Sequence, residues 1–93
     1  MTNNKKFIKK TCVKSKFGMH ARPASKIAEI ANTAKSKIWL KTTSFKINAG
    51  SIIDILSLGA KKSTQVTIEI EDEKDIIILE NIFNFFENGF EEI

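Results

Sequence analysis

The 93-residue sequence holds one cysteine, one proline, one histidine, one arginine and one tryptophan, and no tyrosine. A single cysteine, Cys12, excludes an internal disulfide and fits a reducing compartment. One cysteine and one histidine are too few ligands for a zinc site, and no glycine-rich phosphate loop is present, so neither a metal nor another cofactor is expected. The longest unbroken apolar run, IIIL at residues 76–79, is far too short to insert in a membrane. The opening MTNNKKFIKK has no apolar stretch of a signal peptide, so the reading is a cytoplasmic protein. Repeats, linkers and low-complexity stretches are also missing. The expectation is one domain over residues 1–93, a size that buries about two-thirds of its unfolded surface.

What is there is unevenly charged. Residues 1–41 carry ten Lys and one Arg against Glu29, a balance of +10, and residues 42–93 carry four Lys against ten acids, a balance of −6, which together give the net +4. A basic half suits an acidic partner, although the acidic half folds onto the same small body.

Periodicity gives the elements. FIKKTCVK, residues 7–14, reads as an edge-like strand of undecided facing. Ala24, Ile27, Ala28, Ala31 and Ala34 place a narrow stripe of small side chains on a helix over residues 21–34, suited to close packing on a sheet. KIWLK, residues 37–41, reads as a strand with Ile38 and Leu40 inward and Trp39 outward. A turn over Thr42 to Ser44 leads to FKI as a hairpin partner. Ser51 opens a short helix, IIDILSL, that stops at Gly59. QVTIEIE alternates cleanly as a strand, and a long helix begins at Asp75, with Ile76, Leu79, Ile82, Phe83 and Phe86 on one stripe. The order β-α-β-β-α-β-α predicts an α+β, open-faced sandwich: helices on one face of a small sheet, the other face open, with Trp39 partly exposed.

The histidine, arginine and proline fall together in SKFGMHARPAS, residues 15–25. A helix starting just after His20 puts Ala21, Arg22 and Pro23 in its first turn, where proline costs nothing because first-turn N–H groups have no intrahelical partner. Those amides and the positive end of the helix dipole favour an anion beside the imidazole. Arg22 adds a planar fork of donors that fits phosphate oxygens. Gly18 lets the backbone come close to the helix start. A neutral imidazole is a good nucleophile near pH 7, so this turn suits a phosphoryl group that is taken and given away. No base, metal or water-positioning set for an enzyme with its own turnover accompanies it. The plainer alternative makes His20 a capping or surface residue and Arg22 a solvated charge.

GMHARPAS resembles the active-site segment of the histidine-containing phosphocarrier proteins (HPr) of the bacterial phosphoenolpyruvate-dependent sugar phosphotransferase system, and INAGSIIDILSLGA resembles their second characteristic segment. The resemblance covers almost the whole chain. It implies a four-stranded antiparallel sheet with three helices. It implies that His20 takes a phosphoryl group on Nδ1 from phosphorylated enzyme I and passes it to the IIA component of a sugar permease. Arg22 would balance the charge, with support from Gly18, Ala21 and Pro23 around the helix start. No nucleic-acid partner is implied, and a monomer is the default state.

Ser51-Ile-Ile-Asp54 reads first as a capping box, in which the serine has a purely structural reason to be there. In some members of the family the matching serine is phosphorylated by a dedicated kinase, which makes Ser51 a regulatory candidate and such a serine kinase a candidate partner. Ile52, Ile53 and Leu56 match residues that dock enzyme I and IIA in the family. On periodicity alone some of the three belong in the core, and burial of all three is as good a reading as a docking patch. Gly50, Asp54 and Glu29 depart from the family by making the rim of that patch less positive. Two rival readings remain: a regulatory member of the family, nitrogen-related or tuned to signalling, and a small basic nucleic-acid-binding domain, supported by six lysines between residues 5 and 16 but opposed by Glu69 and Glu71 on the best strand.

Overall fold

A computed structural model describes residues 7–91. Its elements are β1 (Ile8–Cys12), α1 (Ala21–Ala31), β2 (Ile38–Lys41), β3 (Lys46–Asn48), α2 (Ile52–Ser57), β4 (Gln65–Ile70) and α3 (Ile76–Glu87), the last entered through a 3-10 turn at Glu73–Asp75. The strands form one antiparallel sheet in the order β1-β4-β2-β3. The expected α+β open-faced sandwich, with four strands and three helices, is the fold found.

The alternation seen in the sequence sets the layers. Val66, Ile68 and Ile70 of β4 and Ile38 and Leu40 of β2 are buried under the helices, while Thr67, Glu69 and Trp39 stand on the open face, half exposed. Trp39 Nε1 donates to Glu71 Oε2 at 2.8 Å, and the Lys46 ammonium lies 4.9 Å from the indole. Ala24, Ile27, Ala28 and Ala31 of α1 are buried, and Pro23 with them. Small side chains there let α1 settle close to α2 and α3.

Four boundaries differ from the periodicity. The first helix ends at Ala31 rather than at residue 34, because Thr33 Oγ1 donates to Ile30 O at 2.7 Å and takes the carbonyl a further turn needs. Phe45 lies in the turn before β3, exposed, with Thr42 N–H donating to its carbonyl. On α3 it is Phe85, not Phe83, that joins Leu79, Ile82 and Phe86 in the core. Asp75 is the N-cap of α3, but its side chain makes no capping bond: its carboxylate is buried and accepts from the amides of Lys35 and Ser36, at 2.9 and 3.0 Å, tying the chain after α1 to the start of α3.

The undecided facing of β1 is also resolved. Lys9, Thr11 and Val13 point to the helices: Lys9 Nζ lies 4.6 Å from the Phe83 ring centroid, Thr11 Oγ1 donates to Glu87 Oε2 at 2.7 Å, and Val13 is fully buried. Polar side chains on the inward face are satisfied by α3, so the strand shows no apolar alternation.

Candidate functional site

His20 is the N-cap of α1, with extended backbone (φ −135°, ψ −174°). Its carbonyl accepts from Ala24 N–H at 3.0 Å and closes the first turn. The imidazole makes no capping bond and is half buried, so its nitrogens are not consumed by the fold. Ala21 and Arg22 follow as the first two helical residues, exposed, and their N–H groups have no acceptor within the helix. Pro23, third in the helix and buried, brings no N–H at all. An open ring nitrogen therefore sits at the positive end of an 11-residue helix.

The turn is held from behind by the chain after α2. Gly18 takes φ +69°, its N–H donates to Ser15 O at 3.0 Å, and the next amide, Met19 N–H, donates to Ala60 O at 2.8 Å. A Cβ at position 18 would stand 2.8 Å from Ala60 O and 3.3 Å from Lys61 Cα. The glycine is thus required for a close approach, but to Ala60 rather than to the helix start as expected. Phe17, 73% exposed, meets the imidazole edge-on with ring centroids 6.3 Å apart.

Arg22 is the main correction to the sequence reading. Its guanidinium is exposed in the first turn as expected, but Nη2 donates to Phe90 O at 3.0 Å. The cause lies beyond α3. Gly89 and Phe90 both take left-handed backbone (φ +66° and +67°), and Phe90 N–H donates to Phe85 O at 2.9 Å. This fold-back buries the Phe90 ring against Phe85 and Phe86 and turns its carbonyl toward α1. Nothing periodic in the sequence marks Phe90. The only signal was the glycine before it.

Ser51 is the N-cap of α2, and its Oγ accepts from Asp54 N–H at 3.2 Å. The reciprocal half of a capping box is missing, because Ser51 N–H donates to Asn48 O at 3.1 Å instead of to the Asp54 carboxylate. Ile52, Ile53 and Leu56 are 41%, 78% and 38% exposed, and Ile55 alone of the α2 helix is fully buried. That overturns the reading that puts some or all of the three in the core: a single isoleucine anchors this short helix and leaves an apolar surface free. Between α1 and α2 a groove of about 500 Å³ is lined by Ser25, Ala28, Glu29, Asn32, Ser51 and Ile52 among others. Among the described residues no group of His, Cys, Asp or Glu side chains is placed to hold a metal ion, and no helix is long and apolar enough to cross a membrane.

Comparison with known proteins bears on the same segments. The sequence profile described as "PTS HPr component phosphorylation site" matches residues 8–88. The chain is 32% identical over 85 residues to a phosphocarrier protein HPr of Treponema pallidum, covering 91% of this chain and 97% of that one. It is 34% identical over 87 residues to a phosphocarrier protein NPr of Proteus mirabilis, covering 90% and 94%. Among solved structures, HPr-C-His from Thermoanaerobacter tengcongensis superposes with a TM-score of 0.83 at 31% identity, over 92% of this chain and 98% of that chain.

Proposed function

The chain belongs to the HPr family of phosphotransferase-system phosphocarriers, and from that premise we propose that His20 is the residue that carries the phosphoryl group. The observation behind this reading is the state of that side chain: the N-cap of α1, partly open to solvent, with ring nitrogens that make no capping bond. Nδ1 attacks phosphorus with its lone pair. The P–N bond to His20 forms as the bond from phosphorus to the donor group breaks, and the electron pair of that bond stays with the donor. The new dianion then lies against the amides of Ala21 and Arg22, which need no rearrangement to receive it. Arg22 leaves Phe90 O to pair with the phosphate. Because that hydrogen bond is to a neutral carbonyl, a charge-assisted bond to phosphate outweighs it.

Phosphorylated enzyme I is the donor and a IIA component the acceptor in this proposal, with the Ile52, Ile53 and Leu56 surface as their common seat. The protein acts as a cytoplasmic monomer of one domain, without turnover of its own. Ser51 serves first as the helix cap, and a kinase that modifies it is a further proposal: a phosphate there meets the N-terminus of α2 but also the acidic side chains Glu29 and Asp54. The nitrogen-related reading keeps equal standing with sugar transport, since an NPr is as similar to this chain as an HPr is.

The test is intact mass after incubation with phosphoenolpyruvate and enzyme I. One phosphate is expected, removed by acid and not by base, absent in His20→Ala and present in Ser51→Ala. No mass change with a competent enzyme I of either branch sinks the reading.

A further inference from the structure

Two concave surfaces adjoin α2, and they differ in charge. The groove at its N-terminal end, between α1 and α2, has Glu29 as its one charged lining residue, and that carboxylate is paired with the Lys26 ammonium at 3.4 Å. Beyond its C-terminal end lies a cleft of about 410 Å³ lined by Lys16, Phe17, Met19, Lys61 and Lys62 together with Gly18, Gly59 and Ala60. It contains three ammonium groups and no carboxylate. Lys16, Lys61 and Lys62 are all exposed, and among the described residues none of the three is in an ion pair. The Lys16 ammonium lies 5.3 Å from the Phe17 ring centroid, and that ring in turn reaches His20. A phenyl ring left 73% in water gives up most of the stabilisation its burial would bring. It is held there by a backbone pinned through Gly18 N–H to Ser15 O and Met19 N–H to Ala60 O, so the lip of the cleft is set before any partner arrives.

We propose that this cleft is the charge-recognition half of the docking surface: the phosphoryl donor protein places carboxylates against Lys16, Lys61 and Lys62 and an apolar side chain against Phe17. The inference rests on the phosphocarrier reading and adds to it where the partner's negative charge goes. The apolar α2 surface supplies contact area without direction. Three unpaired ammonium groups at the C-terminal end of α2, and none lining the groove at its other end, orient the donor along α2, since a reversed approach leaves its carboxylates without a cation. The choice of an acidic partner follows from charge complementarity alone.

The experiment measures KM and kcat for phosphorylation by phosphorylated enzyme I at low and high salt. Lys61→Glu/Lys62→Glu should raise KM at least about tenfold at low ionic strength, with kcat nearly unchanged and the difference closing at high salt. Phe17→Ser should raise KM severalfold at both salt concentrations, with thermal unfolding unaltered. Lys35→Glu/Lys37→Glu makes the same change of charge at the far end of α1, away from the cleft, and should leave KM within about twofold. An unchanged KM in the Lys61/Lys62 variant overturns the proposal, as does an equal rise in the Lys35/Lys37 variant, which would make the effect one of net charge. A wild-type protein that enzyme I never phosphorylates brings down the phosphocarrier reading, and this inference with it.

Discussion

Arg22 Nη2 donates to Phe90 O at 3.0 Å, joining residues 68 positions apart and tying the first turn of α1 to the fold-back after α3. In the proposed carrier, the side chain that would hold the phosphate is thus bonded to a neutral acceptor before the phosphate arrives. Arg22→Ala should lose about 1 kcal/mol of stability, as for a single part-buried hydrogen bond. It should slow phosphoryl transfer by a much larger factor. Urea unfolding beside single-turnover transfer separates the two, and equal losses in both would reduce Arg22 to a structural tie.

Gly18 is strained for any other residue twice over, by φ +69° and by Ala60 O at 2.8 Å from a Cβ. Gly18→Ala should cost about 1–3 kcal/mol. It should also slow phosphorylation, because the turn bearing His20 must shift. A variant as stable as the parent in urea would contradict the geometry.

Ile53 and Ile55 are two residues apart on one short helix and should respond oppositely. Ile55 is fully buried, and Ile55→Ala should cost about 2–5 kcal/mol. Ile53 is 78% exposed, so Ile53→Ala should stay within about 0.5 kcal/mol while weakening partner binding. Thermal unfolding and calorimetric titration with a partner check the pair.

Glu87 links α3 to β1 through the Thr11 hydroxyl at 2.7 Å and the Lys14 ammonium at 3.3 Å. The hydroxyl first, then the ammonium, hold its carboxyl below the ordinary value of 4.5. A carboxylate with a lowered folded pKa adds stability that is fully present above the unfolded value and is lost as pH falls through the folded one. Glu87→Gln should therefore be less stable than the parent at neutral pH and approach it below about pH 4. Parallel curves of stability against pH for the two proteins would refute the linkage.

The legible parts of this molecule are those where one face is apolar and the other polar. β2, β4 and α1 announce themselves because Ile38, Leu40, Val66, Ile68 and the alanines repeat at the period of their element. The helix start after His20 was legible for a different reason, since proline is at home in a first turn and the structure places Pro23 there. What stayed hidden depends on contacts between distant segments. Lys9 and Thr11 face inward only because α3 brings Phe83 and Glu87 to them. The partner of Arg22 follows from two left-handed residues at the other end of the chain. On a helix as short as α2, one turn and a half cannot say which isoleucine is inside, and Ile55 was not singled out.

Trp39 is the one indole of the chain, and tyrosine is absent. It stands on the open sheet face, bonded to Glu71 and flanked by Lys46, with the sheet between it and the helical layer that carries the His20 turn. Its fluorescence is therefore an optical gauge of sheet integrity that neither phosphate at His20 nor a protein seated on α2 should disturb. Folding and loading with phosphate can then be followed in one cuvette without interference.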